Sequence, residues 1–400
     1  MNAAIPPPRA TLDQRLGAEL ARLRQAQLYR VRRVVSGAHG VELQVDGQRC
    51  INFCSNDYLG LAADPRVAAA AKRALDDAGT GSGASALISG YNAEHRALEE
   101  ELADFLQRPR ALLFSTGWAA NLGVLRALLG KGDTLLADEL NHASLIDGGR
   151  LSGAHYVRLP HADVSACEAA LAQPRGGETL LVTDSVFSMD GDLAPLPALA
   201  RLCARSGATL MVDDAHGFGV LGEAGRGAVR AAGLGVAEAP VYVATLGKSL
   251  GAAGAFVAGS ENLIEYLIQR ARSWVFSTAP PPAIAAAARA ALRIVQAEPE
   301  RRAQLFANIR RLREGAAQLD IPLADSATAI QPLIVGDEAR ALALSQSLRA
   351  RGLWVAAIRP PTVQRGTSRL RITLSAAHTA AQIDALLEAL RAGLREGAPA

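Results

Sequence analysis

The feature that most constrains this chain is a regular alternation between about Asp57 and Gly259. Short apolar runs recur there at Ala111–Phe114, Thr134–Ala137, Tyr156–Leu159, Thr179–Thr183, Thr209–Val212, Val241–Thr245 and Ala255–Ala258, separated mostly by helix-like stretches. Runs without an alternating polar face mark strands covered on both sides, and the intervening helices supply the cover. The pattern therefore predicts an α/β fold around a mostly parallel seven-stranded sheet flanked by helices.

The flanks read differently. The first 30 residues suggest an amphipathic helical arm, with Leu12, Leu16, Leu20, Leu23 and Leu28 at helical spacing, followed by short strands at Val41–Val45 and Cys50–Phe53. Pro280-Pro281-Pro282 starts a long Ala-rich helix, proline being tolerated in a first turn. Beyond about residue 293 come a helix, strands near Pro332–Val335, Leu353–Ala357 and Leu370–Leu374, and a final helix from Thr379. The expected division is an N-terminal segment 1–52, a large domain 53–292 and a smaller C-terminal α+β domain 293–400.

Composition removes several classes of function. Half the residues are hydrophobic, the net charge is only +3, and Cys50, Cys54, Cys167 and Cys203 form no CxxC pair. The start lacks an apolar signal core, and no run of about 18 apolar residues occurs. The expectation is a soluble cytoplasmic protein with neither nucleic acid nor membrane as partner. The histidines show no metal spacing such as HExxH, so no metal is expected.

Lysine is scarce. Of 42 basic residues only Lys72, Lys131 and Lys248 are lysines. Coding bias toward arginine accounts for most of that. An amine, unlike a guanidinium, can nevertheless shed its proton near neutral pH and attack a carbonyl. Lys248 follows the run Val241–Thr245, and Asp213 and His216 follow the run ending at Val212. Open α/β sheets bind ligands at the carboxyl ends of their strands. A lysine and a carboxylate on neighbouring strand ends are what pyridoxal phosphate needs, one to hold its aldehyde and one to keep its ring nitrogen protonated. Phe114-Ser-Thr-Gly117-Trp118 adds a strand, a glycine turn and a helix start, a cradle for an anion. His142 and Ser188 follow two further strands.

These residues carry a resemblance. Asn52-Phe-Cys-Ser-Asn-Asp-Tyr-Leu-Gly, Gly79-Thr-Gly-Ser-Gly-Ala-Ser, Ser185-Val-Phe-Ser-Met-Asp-Gly-Asp, Val212-Asp-Asp-Ala-His-Gly, Thr245-Leu-Gly-Lys and Ala357-Ile-Arg-Pro-Pro-Thr-Val resemble the α-oxoamine synthase family of fold-type I pyridoxal phosphate enzymes. The likeness runs from about Leu28 to His378. The last stretch and Asp192 are similar to the branch that uses pimeloyl donors in biotin synthesis. Asp184, where the family often has Glu, and Gln364, where Pro is common, depart from the pattern.

The resemblance implies a homodimer with shared active sites that condenses L-alanine with pimeloyl-CoA or a pimeloyl-carrier protein. Lys248 would anchor the cofactor and act as base, Asp213 would pair with the ring nitrogen, and His142 would stack on the ring. His216 and Ser188 would meet the ring oxygen, and Gly117, Trp118 and Thr245 the phosphate. Ser277 and Thr278 would reach the phosphate from the other subunit. Arg371 would clamp the amino-acid carboxylate, and Arg30 and Thr362 would face the acyl donor.

Other readings compete. A sister synthase would use glycine and acetyl-CoA. Gly247-Lys-Ser249-Leu-Gly251 fits a serine-hydrolase elbow, with His378 and Asp320, Asp325 or Asp337 as partners. Gly79-x-Gly-x-Gly follows a helix rather than a strand, the wrong context for a dinucleotide. A non-catalytic protein of the same fold would be marked by loss of Lys248, Asp213 or Arg371, and all three are present. Cys50 and Cys54 read as buried or half-buried thiols on one strand face. The Arg30–Arg33 cluster reads as a solvated face, or as a phosphate-steering patch at the mouth of a site.

Overall fold

The structure, a computed structural model, describes residues 10–174 and 176–396. All seven apolar runs are strands of one sheet. Its spatial order is Arg110–Phe114, Ala255–Gly259, Val241–Thr245, Thr209–Asp213, Thr179–Asp184, Thr134–Asp138, His155–Leu159. Ala255–Gly259 runs antiparallel to both neighbours, and the other pairings are parallel.

Side chains alternate strictly between the two faces, as a period of two requires. Leu113, Leu136, Leu181, Val212 and Ala244 enter one core, while Leu112, Leu135, Val182, Met211 and Val243 enter the other. The second core is closed by Val124 and Leu125 of helix Gly117–Leu128 and by Leu145 of helix Ala143–Ser152. Four parallel strands end on a polar residue at the same edge: Asp138, Asp184, Asp213 and Thr245. Asp184 and Asp213 are register partners. The alternation puts both on the face of those two helices.

The C-terminal part holds helix Pro299–Gln318 and a three-stranded antiparallel sheet of Ile330–Gly336, Ser368–Thr373 and Ala356–Ile358. Helix Ala380–Glu396 ends it, and Thr379 and Gln382 exchange hydrogen bonds at its start. Two features differ from expectation. A further helix, Glu338–Ala350, buries only a narrow stripe of Ala341, Leu344 and Leu348, too sparse to stand out in the sequence. The single strand expected at Leu353–Ala357 is two. Leu353–Trp354 pairs parallel with Gln48–Asn52, and Ala356–Ile358 joins Ser368–Thr373. Val355 between them is fully buried, so the chain leaves one sheet for the other at a core side chain.

The N-terminal arm is shorter than its leucines suggest. Its helix spans Leu12–Gln25, Leu28 lies beyond it, and none of its residues is buried. The Thr11–Gln14 capping box and the Glu19–Arg22 pair support it locally. The part of the expected arm before Ala10 lies outside the described residues.

Candidate active site

Each site residue is delivered by a strand end. Lys248 stands three residues past Thr245, and its Nζ lies 2.9 Å from His216 Nε2. His216 Nδ1 meets the Tyr58 hydroxyl at 2.6 Å, and Tyr58 Oη donates to Asn56 Oδ1 at 3.2 Å. The same Asn56 oxygen accepts from both terminal nitrogens of Arg371 at 3.2 Å each. Arg371 Nε donates to the Ser188 carbonyl at 2.5 Å. A continuous polar chain therefore joins the lysine to the arginine across residues far apart in sequence.

A second network lies on the helix side. Asp213 accepts from Asn121 Nδ2 at 2.7 Å and from Ala215 N at 3.0 Å. The same Asn121 nitrogen donates to Ser144 Oγ at 2.9 Å, and that hydroxyl meets His142 Nδ1 at 2.8 Å. Asp184 accepts from the His142 backbone N–H at 2.7 Å. Trp118 stands edge-on to the His142 ring, with centroids 6.2 Å apart.

Burial dominates the electrostatics. It pushes the Lys248 amine down to about 8, against the upward pull of Asp213 and Asp184. Burial first, then Lys248 and Arg371, hold His216 well below the imidazole range. His142 is lowered by burial although Asp213 pulls the other way. Asp184 is raised well above a normal carboxyl by burial and by Asp213 beside it. A neutral His216 lets the hydrogen-bond chain run in either direction. A charged Lys248 donates to Nε2, and a neutral one can accept from it while Tyr58 turns its single proton from Asn56 to Nδ1.

The residues present fit pyridoxal phosphate. Thr116 caps the helix Gly117–Leu128 by accepting from Ala119 N at 3.0 Å, leaving the first-turn N–H groups of Gly117 and Trp118 for an anion. A Cβ added at Gly117 would meet nothing within 4 Å, so that helix end opens on space. Asn121 Oδ1 is buried without a partner among the described residues, beside the Asp213 carboxylate.

Other expected residues are placed less directly. Thr245 Oγ1 donates to Gly254 O at 3.0 Å and accepts from Gly247 N at 3.2 Å, fixing the turn before Lys248. Ser188 enters through its carbonyl. Ser277 donates to Ser273 O at 2.7 Å, and Ser277 and Thr278 line a cavity with Ser115, two residues before Gly117. Arg30 and Thr362 do meet, Nη2 to Oγ1 at 3.1 Å. Asp192 is engaged with His161 at 2.8 Å.

Sequence reasoning missed Asn121, Asn56 and Tyr58 as site residues. Asn121 had a signal, lying four residues after Gly117 and so on the same helix face. The hydrolase reading loses its geometry. Ser249 donates to Phe218 O at 2.6 Å, and His378 is stacked on Phe53 with its nitrogens held by Ser375 N and Asn52 O. Cys50 is buried and Cys54 half-buried, with burial pushing the Cys54 thiol up to about 12. Such a thiol is a poor nucleophile.

Comparison with known proteins agrees with this geometry. The family "Aminotransferase class I and II" matches residues 48–390. The 8-amino-7-oxononanoate synthase of Methylococcus capsulatus is 60% identical over 371 residues, covering 93% of this chain and 96% of that one. Among solved structures, Sphingomonas wittichii serine palmitoyltransferase superposes with a TM-score of 0.92 at 35% identity, covering 97% of this chain and 99% of that one. The 8-amino-7-oxononanoate synthase of Francisella tularensis gives 0.77 at 32% identity, covering 87% and 98%. The chain thus belongs to the aminotransferase class I and II family, in the branch of the 8-amino-7-oxononanoate synthases.

Proposed function

We propose that this chain condenses L-alanine with a pimeloyl thioester, carried by coenzyme A or a carrier protein, to give 8-amino-7-oxononanoate, CO2 and free thiol in biotin synthesis. The observation that carries the reading is the joining of a half-buried amine, Lys248, to a buried guanidinium, Arg371, through His216, Tyr58 and Asn56. The sequence identity to the named synthases supports the choice of substrates.

Pyridoxal phosphate, when bound, supplies an aldehyde for the amino group and a ring that draws electrons from Cα. Lys248, His142, Asp213, His216, Ser188, Gly117, Trp118 and Thr245 would hold it. With burial holding its pKa down to about 8, the Lys248 amine sheds its proton near neutral pH far more readily than an ordinary lysine. That amine takes the alanine α-proton, and His216 stabilises either protonation state by reversing its hydrogen bond. Arg371 orients the alanine carboxylate with two parallel donors. The α-carbon then bonds to the acyl carbonyl, the thiol leaves, the alanine carboxyl departs as CO2, and a proton returned to the α-carbon completes the amino ketone.

In this reading residues 53–292 carry the cofactor, 293–400 supply Arg371 and Thr362, and 1–52 bring Arg30 to the acyl donor. The enzyme is a cytoplasmic homodimer in which Ser277 and Thr278 serve the partner's phosphate. No helix among the described residues is long and apolar enough to cross a membrane.

A thiol-release assay crossing alanine, glycine and serine with pimeloyl, acetyl, succinyl and palmitoyl thioesters tests the reading. Alanine with pimeloyl should give the highest kcat/KM, and glycine should react slowly, since one methyl is worth only about 1–3 kcal/mol. Acetyl with glycine as the best pair would overturn the substrate assignment. Mixing Lys248→Ala and Thr278→Ala chains tests the sharing. A shared site should restore activity above either parent, and a site confined to one chain should not.

A further inference from the structure

His161 lies outside the site yet touches both loops that shape it. It follows strand His155–Leu159, and both ring nitrogens face carboxylates. Nδ1 lies 3.1 and 3.2 Å from the two oxygens of Asp138, and Nε2 lies 2.8 Å from Asp192 Oδ2. The ring also stands edge-on against the buried Phe187, with centroids 4.3 Å apart at 89°. Two carboxylates on two nitrogens call for two N–H donors, the imidazolium form. Accordingly the two hydrogen bonds, Asp138's the stronger, raise its pKa to about 10.

What the two carboxylates hold gives the contact its meaning. Asp138 ends its strand and accepts from Leu140 N at 2.8 Å and Ala162 N at 2.7 Å, fixing the turn that leads to Asn141 and His142. Asp192 closes the loop Ser185–Asp192, whose Phe187 N donates to Asp192 O at 3.0 Å. That loop carries the Ser188 carbonyl that receives Arg371 Nε. Asp190 in the same loop pairs with Arg369, two residues from Arg371 on one strand.

We propose that His161 is a positioning residue that clamps the Asp138–His142 turn to the Ser185–Asp192 loop, and through Ser188 sets Arg371 for the amino-acid carboxylate. This rests on the reading of Arg371 given above. It also gives Asp192 a role that needs no contact with the acyl chain: its carboxylate holds the clamp. Arg371 Nε is held by that one carbonyl while both terminal nitrogens rest on Asn56, so a shift of the loop pulls the guanidinium against its second anchor.

Two substitutions divide the clamp. The amide of His161→Asn stands near the Nδ1 position and keeps a donor for Asp138 while releasing Asp192. The amide of His161→Gln stands near the Nε2 position and does the reverse. The steady-state kinetics of the holoenzyme read the outcome. His161→Asn should raise the KM for alanine about tenfold with kcat and the thioester KM within about twofold. Asp192→Ala, which removes the acceptor, should reproduce that effect, and the double variant should add less than about twofold. His161→Gln, which frees Asp138 instead, should raise the alanine KM as well, because releasing either end opens the clamp. An alanine KM unchanged in both His161→Asn and Asp192→Ala, with only the melting temperature lowered, would overturn the clamp. Arg371→Leu is the control for the underlying reading. If it too leaves the alanine KM unchanged, the role of Arg371 fails, whereas a large rise there alone condemns only the clamp.

Discussion

His216 and His161 stand at the ends of strands of the same sheet, and their surroundings drive them to opposite charge states. His216 is packed beside Lys248 and within reach of Arg371, with a phenol rather than a carboxylate on its other nitrogen. Burial and neighbouring cations keep it neutral. His161 has a carboxylate on each nitrogen and is held charged. The neutral ring can pass a hydrogen bond in either direction, which suits a group beside a base that gains and loses a proton. The charged ring has two fixed donors and no acceptor, which suits a brace. Proximity to a strand end does not decide which kind of histidine results. Burial, and whether a carboxylate faces the ring to offset it, does.

The largest expected effect lies on the His216 side. Lys248→Ala should abolish turnover with the fold intact, because it removes the cofactor anchor and the base together. Borohydride reduction and peptide mapping of the wild type should label Lys248. A label on Lys72 or Lys131 would remove the amine from which the comparison starts.

A smaller loss should follow from Asp213→Asn. The amide can still pair with Asn121, so binding of the cofactor should survive. It cannot hold a ring nitrogen protonated, and exchange of the alanine α-proton with solvent should slow by several kcal/mol of barrier, about tenfold per 1.4 kcal/mol. Near-normal exchange by NMR would show that Asp213 only supports the helix face.

The smallest effect concerns stability and pH, and it contrasts His161 with His378, another buried neutral ring. The folded pKa of His161, about 10, lies above the ordinary 6.5, so its contribution is complete below about pH 6.5 and fades as pH rises toward 10. Burial pushes His378 down to about 4, so its contribution is complete above about 6.5 and is lost as pH falls toward 4. The groups facing His161 are Asp138 and Asp192, with Glu139 and Asp163 nearby. Melting temperatures of wild type, His161→Asn and His378→Asn between about pH 5 and 10 should therefore diverge in opposite directions. A His161→Asn deficit that stays constant with pH would mean that the ring braces by shape and not by charge.

Much of this was legible in the residues. Six of the seven strands were visible because a strand covered on both faces must be apolar, the edge strand His155–Leu159 with its exposed Arg158 being the exception, and Lys248, Asp213 and His216 stood out as polar residues at or just past the ends of such runs. The Leu353–Ala357 segment misled because propensity reports that a chain is extended and not which sheet it joins. Asn121 and Tyr58 stayed hidden because their partners, Asp213 and His216, are 92 and 158 residues away.

The sequence by itself therefore determined the layers, the edge at which chemistry collects and the residue types gathered there. Those follow from local periodicity and from the solvation cost of putting a charge inside a strand. Only the tertiary structure decided protonation. Whether an imidazole is neutral like His216 or charged like His161 depends on what faces it from other strands, and a carboxylate at hydrogen-bond distance can arrive from any point in the chain.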